Sequence, residues 1–173
     1  TAGLFAQRMG LPIKHFIAAN NANDIFYNYL LSGIYSPKAS IQTIANAMDV
    51  GDPSNFARIL DLYKSSHAEI CNHISGATYS DEEIAATMKK CYEQTGYVLD
   101  PHGACGYQAL KDNLKEGETG VFLETAHPAK FKEKVDAILS TDIEIPTRLA
   151  DFMKGKKQSL EMAADFSAFK QFL

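Results

Sequence analysis

Thr125 closes a short apolar run, Val121-Phe122-Leu123, and stands just before His127-Pro128. A hydroxyl at such a junction can hydrogen-bond a heteroaromatic nitrogen, or it can merely cap the helix that follows. In open α/β sheets ligands collect at the carboxyl ends of the strands. Two further polar clusters sit where a strand or loop hands over to a helix. Residues 20–24 read Asn-Asn-Ala-Asn-Asp, and residues 46–56 read NAMDVGDPSNF, with Gly51 for flexibility and Ser54 and Asn55 as neutral donors. A helix start offers unpaired N–H groups and partial positive charge, which suit a phosphate or a carboxylate. The same residue types also build ordinary caps and turns.

The other reactive side chains have weaker patterns. Lys130 falls on the solvated first turn of a helix rather than in the apolar pocket that a Schiff-base amine needs. His127, ahead of Pro128, suits a structural hydrogen bond. His67, Cys71 and His73 have the only metal-like spacing, yet His73 leaves the face shared by the other two and no fourth ligand is near. Cys105 lies close to His102 without a third group to orient the pair, and it reads as a small packing residue on a helix.

The elements that must carry these groups follow from periodicity and caps. Helices are predicted at 1–9, with Thr1 as cap and Gly10 as terminator, and at 25–31, stopped by Gly33. Asp52-Pro53 predicts a helix start, with Phe56, Ile59, Leu60 and Tyr63 as its buried stripe. Ser80 with Glu83 forms a capping box opening a helix to about Thr95, closed by Gly96. Asp100-Pro101 opens another to about Leu114, and further helices are predicted at 131–139 and 146–154. The tail places Leu160, Met162, Phe166, Phe169 and Phe172 on a docking helix. Strands are predicted at 14–19, 97–99 and 121–123. Residues 40–50 fit strand or helix, and 65–79 reads as polar and irregular. The order implies an α/β, three-layer fold: a small, mostly parallel sheet flanked by helices, forming one domain over 1–173.

A chain of 173 residues with 46% hydrophobic content can bury one substantial core. The net charge of -4 and the absence of a basic, aromatic-studded patch argue against nucleic acid as a partner. Three widely spaced cysteines suit a reducing compartment. No apolar run approaches the ~20 residues that span a bilayer. The opening TAGLFAQRMG lacks the layout of a signal peptide, so a cytoplasmic setting without membrane contact is expected. Thr1 is not an initiator Met, and the chain reads as a piece of something longer.

Four strings carry a resemblance: AANNAND at 18–24, NAMDVGDPSNFARIL at 46–60, GYVLDPHGACGY at 96–107 and GVFLETAHPAKF at 120–131. Together, in this order, they resemble the threonine synthase family, and TAGLFAQRMGLPIK looks like the segment following that family's Gly/Asn phosphate loop. The match is weakest at 64–78 and after about 145. The resemblance implies the C-terminal part of the pyridoxal-phosphate-binding region of a longer enzyme with a tryptophan-synthase-β-like fold. It implies conversion of O-phospho-L-homoserine and water to L-threonine and phosphate, with the cofactor as electron sink.

Carried over by position, Thr125 implies the hydroxyl that faces the cofactor's pyridine nitrogen. Asn21, Asp24, Asn46, Ser54 and Asn55 imply the substrate side. The family's cofactor-binding lysine and phosphate loop match nothing in these residues, so the resemblance assigns no catalytic residue here. It implies an isolated chain that makes no threonine, with the N-terminal part of the same enzyme as partner and self-association of the piece in its absence. Asn20 and Phe26-Tyr27-Asn28 depart from the family pattern. Two other readings stay open: a related pyridoxal-phosphate lyase such as a threonine dehydratase, and a non-catalytic α/β binding module.

Overall fold

Phe16–Asn20 forms strand β1, as the apolar run predicts, and it pairs in parallel with β2, Ile74–Thr78, in the register Phe16 opposite Ile74. The structure, a computed structural model, describes residues 1–173, with helices α1 to α9 in chain order. The chain divides into two compact units, Thr1–Ile143 and Glu144–Leu173.

In the first unit the pleat of the two strands sends alternate side chains to opposite faces. Phe16, Ala18 and Ile74 pack with Tyr29, Phe56, Ile59, Tyr63 and Ile70, from helices α2 (Ile25–Ser32), α3 (Phe56–Leu62) and α4 (His67–His73) with the residue after α3. Leu4 of α1 (Ala2–Arg8) joins the same cluster. Ile17, Ala19 and Ala77 pack the other way, against Ile84, Met88, Cys91, Ala104, Cys105 and Val135. These come from α5 (Asp81–Thr95), α6 (Pro101–Asn113) and α7 (Lys132–Leu139). Helices therefore cover both faces of a small parallel sheet. Each large apolar side chain wholly enclosed here contributes about 1.5–3 kcal/mol.

The caps follow the sequence closely. Ser80 and Glu83 make the reciprocal capping box, and Gly33 and Gly96 end α2 and α5 in the left-handed conformation at φ 74° and 73°. Asp100 accepts the His102 N–H at the start of α6.

Other expectations shift. Residues 65–79 are regular, because Ser66 caps α4 and the small residues Ser75, Gly76 and Ala77 form β2. Gly76 is needed there: a Cβ would press on the Tyr27 ring and Leu30 of α2, so its absence lets helix and sheet approach. α3 begins at Phe56 behind Asn55, not at Pro53, since Asp52 instead accepts the Tyr35 hydroxyl at 2.7 Å. Thr1 precedes α1 without a side-chain cap bond. Segments 97–99 and 121–123 are not strands: no partner strand hydrogen-bonds them, and the sheet has two members.

The second unit holds α8 (Thr147–Met153) and α9 (Phe166–Phe172), neither of which contains a buried residue. The tail forms the helix α9, but its phenylalanines are exposed rather than docked, and Leu160 and Met162 lie outside it.

Candidate functional site

The carboxyl end of β1 runs into a buried polar network. Asn21 is fully enclosed, and its amide nitrogen donates to Thr43 Oγ1 at 2.7 Å, Asp49 Oδ1 at 2.8 Å and the Ala45 carbonyl at 3.2 Å. Its amide oxygen accepts the Asn23 N–H at 2.8 Å. Asn23 in turn bonds the Ile41 backbone on both sides and donates to Asp49 Oδ1 at 3.0 Å. Asp49 also accepts from the Thr43 backbone N–H and hydroxyl, at 3.0 and 2.8 Å. One carboxylate thus collects four donors, and charge-assisted bonds of this kind are the stronger ones.

Three further helices fix the same loop. The Asp81 carboxylate of α5 accepts the Ile44 N–H, the Lys134 ammonium of α7 donates to the Thr43 carbonyl at 3.0 Å, and the His102 ring of α6 accepts the Ala47 N–H at 3.0 Å. Asn46 heads the 3-10 turn Asn46–Met48 in the middle of this clamp, with its side chain exposed.

The expected substrate-side residues therefore separate into two kinds. Asn46, Ser54 and Asn55 are exposed, and Asn55 makes no side-chain cap bond. They are free to meet a ligand. Asn21 is not: every polar atom of its amide is engaged inside the protein, and its part is to shape the loop. Asp24 is half-buried and bonds the Lys38 ammonium at 2.7 Å. Burial opposes its charge, but the hydrogen bonds from Lys38 and Asn28 outweigh burial and lower its pKa.

Residues 121–125 belong to no helix or strand and alternate in exposure, with Val121, Leu123 and Thr125 exposed and Phe122 and Glu124 turned inward. Thr125 therefore shares its face with two open apolar side chains. It does not cap the next turn; His127 does, its Nδ1 accepting the Ala129 N–H at 3.1 Å, which is the structural bond expected of it. Lys130 is exposed on the turn Pro128–Phe131.

Glu124 points the other way. Its Oε1 accepts the Asp100 N–H at 2.8 Å, and its Oε2 occupies the space that a Cβ on Gly103 would fill. Asp100 is fully buried, and its Oδ1 accepts the His102 backbone N–H at 2.8 Å and faces the His102 Nδ1 at 2.6 Å. Since His102 Nε2 accepts from Ala47, the ring proton sits on Nδ1 and is donated to Asp100. Burial opposes the Asp100 charge, but these two bonds outweigh it and hold the carboxyl below the usual range. Burial is also the main cause that pushes Glu124 up to about 7; the Asp100 N–H pulls it down and the Asp100 charge pushes it further up. Sequence reasoning read Asp100 only as a helix cap and passed over Glu124. The available signal was the coincidence of a carboxylate at a strand-like end with a second one at a helix cap.

The metal-like trio resolves as structure. His67 Nε2 lies 3.1 and 3.0 Å from the Tyr29 and Leu30 carbonyls, Cys71 Sγ is 3.4 Å from the latter, and His73 packs on the Tyr63 ring. His67 and Cys71 are thus C-terminal caps for α2. Cys105 is buried, with its thiol pushed up to about 12 by burial. No helix is long and apolar enough to cross a membrane.

Comparison with known proteins bears on this arrangement directly. Residues 2–125 match the family described as pyridoxal-phosphate dependent enzyme, and residues 103–173 match threonine synthase, C-terminal. The threonine synthase of Haemophilus influenzae is 45% identical over 173 residues, all of this chain and 40% of that protein. The crystal structure of threonine synthase from Escherichia coli superposes with TM-score 0.84 at 42% identity, covering 99% of this chain and 40% of that one. The pyridoxal-phosphate-bound enzyme of Brucella melitensis gives 0.83 at 31% identity, over 99% of this chain and 42% of its own. The chain spans about 40% of the length of the curated relatives it matches. It belongs to the pyridoxal-phosphate dependent enzyme family, and it is similar from end to end to that family's threonine synthases.

Proposed function

We propose that the chain is the C-terminal portion of a threonine synthase, converting O-phospho-L-homoserine and water to L-threonine and phosphate in the cytoplasm. The observation that carries this reading is similarity along all 173 residues to enzymes of that one activity. The N-terminal part of the same enzyme is the proposed partner, and without it the chain is expected to make no threonine.

The residues present fit one side of the cofactor. Thr125 is exposed at the end of a segment whose side chains alternate in exposure, the side chains on its face are neutral, and the adjacent Glu124 carboxyl is turned away toward Gly103. A neutral hydroxyl there bonds a pyridine nitrogen without forcing a proton onto it, as a carboxylate would. Pyridoxal phosphate, when bound, supplies an electron sink for proton loss at carbons next to the substrate amine. Val121 and Leu123 offer an exposed apolar surface beside Thr125, which a bound cofactor ring would cover. Asn46, Ser54 and Asn55 offer neutral donors to the substrate's phosphate or carboxylate, and the Asn21–Asp49 network holds their loop in place. Asp24 contributes by fixing the start of α2 through Lys38.

The test is an assay of the complete enzyme for phosphate release from O-phosphohomoserine against ammonia release from threonine. Phosphate release supports the synthase; ammonia release alone means a dehydratase. In the same enzyme Thr125→Val is expected to lower turnover roughly 10²-fold, the usual cost of one donor at a reacting group, while Thr125→Ser stays within a few-fold. Equal turnover in Thr125→Val would remove Thr125 from the site.

A further inference from the structure

Two carboxyl groups that meet away from water cannot both ionise cheaply. Asp100 Oδ2 and Glu124 Oε2 are both buried, and both lack any hydrogen-bond partner. Their sister oxygens are fully explained, Asp100 Oδ1 by His102 and Glu124 Oε1 by the Asp100 N–H. Two orphaned acceptors on carboxyls already tied together through Asp100 are resolved by one proton placed between them. We propose that Glu124 and Asp100 share that proton, and that the resulting chain Glu124–Asp100–His102–Ala47 locks the Thr125 segment to the Asn46 turn.

Each link is visible. Glu124 is the neighbour of Thr125 and faces inward while Thr125 faces out, so fixing its carboxyl fixes the direction of the hydroxyl. At the other end His102 Nε2 holds Ala47, next to Asn46, and Phe131 lies against the His102 ring with centroids 4.8 Å apart. Asp100 is the cap of α6, so the whole chain is referred to a rigid helix end. Glu124 and Asp100 are thereby positioning residues for the two groups, and this role rests on the function proposed above.

The proton belongs to Glu124. Asp100 already receives two N–H bonds that favour its charged form, whereas Glu124 receives one and faces the negative Asp100. The other ionisable groups around the pair are His102, Tyr97 in the segment before α6, whose pKa is raised first by burial and then by the Glu124 charge, and Cys105. Of these, His102 favours the ionised form of Glu124, but its effect is smaller than the burial and the Asp100 charge that favour the proton.

The test reads the proton itself. Infrared spectra of the complete enzyme should show a protonated-carboxyl carbonyl band just below neutral pH, disappearing as pH rises through about 7 and missing in Glu124→Gln. Absence of the band in the unsubstituted enzyme, or its survival in Glu124→Gln, overturns the proposal. This readout is independent of turnover, so it separates the acid pair from the assignment of Thr125. Ionising Glu124 is expected to lower turnover above about pH 7; Gln can donate to Asp100 where the shared proton stood, so Glu124→Gln should keep turnover within a few-fold and abolish that decline. Glu124→Ala should lower turnover roughly tenfold at every pH by releasing the segment. Equal loss in Gln and Ala variants would sink the positioning role.

Discussion

Asp49→Ala lowers the unfolding free energy by about 3–5 kcal/mol, one of the two largest effects expected of a single polar substitution in this chain. Asp49 serves the Asn21 and Asn23 amides and the Thr43 N–H and hydroxyl at 2.8–3.0 Å. Asn21, Asn23 and Thr43 are all buried, at 0%, 6% and 7% exposure, so water reaches the abandoned donors only through the void that the substitution opens. Each abandoned buried donor costs about 1–3 kcal/mol, and partial rescue by water entering the void keeps the sum below simple addition. Asp49→Asn keeps one oxygen but turns an amide donor toward the Thr43 N–H, so about 2 kcal/mol is expected. Denaturant unfolding of the complete enzyme measures both. Amide exchange should rise first at residues 21–23 and 41–45, and a uniform rise across the sheet instead would show that the network does not specifically hold this loop.

The loop illustrates what was legible in the sequence. Asn, Asp, Ser and Gly at 20–24 and 46–56 mark a polar junction at a strand end, and the structure puts one there. Whether an asparagine faces inward or outward depends on partners distant in sequence, Thr43 and Asp49 for Asn21, and no local pattern encodes that choice. Helix ends were legible because their causes are local: Ser80 with Glu83, Asp100 with Pro101, and Gly33 and Gly96 at positive φ. β2 was not, since Ser75-Gly76-Ala77 lacks the bulk of a strand and becomes one only because Tyr27 and Leu30 need the room. Residues 121–123 look like a strand by composition and alternate in exposure as one would, yet a strand needs a hydrogen-bonded neighbour, which composition cannot supply. Thr125 stood out as the residue closing an apolar run, and motif resemblance supplied the role proposed for it. Glu124, its neighbour, was passed over because a carboxylate in a polar string reads as surface, and only its approach to Gly103 and Asp100 shows otherwise.

Asp100→Ala is the second large effect, about 3–5 kcal/mol, and its pH dependence distinguishes it from ordinary core damage. The substitution removes the α6 cap, worth about 1 kcal/mol, and leaves the His102 ring N–H and backbone N–H without their acceptor. The His102 side chain is only 9% exposed, so its donor stays dry. Asp100 has a lowered pKa in the fold, so its ionised form stabilises the protein above the ordinary carboxylate range and that contribution is lost as pH falls through the folded value. The deficit of Asp100→Ala should therefore be full at neutral pH and shrink in acid. Glu124 has the opposite sign. Its raised pKa means that its favourable contribution is complete below about 4.5 and fades as pH climbs through about 7. Removing the Asp100 charge takes away one of the causes that raise Glu124, so the fade moves to lower pH in Asp100→Ala. Burial of Glu124 remains, which keeps the fade from vanishing. Asp100→Asn preserves the oxygen that caps α6 and accepts from His102, and its amide can donate to an ionised Glu124; it should cost about 1–2 kcal/mol and flatten the decline near neutrality. Unfolding free energies of the three proteins across the acid-to-alkaline range measure these slopes. A deficit for Asp100→Ala that is identical at every pH would mean that Asp100 acts through packing alone and not as the charged member of the pair proposed to orient Thr125.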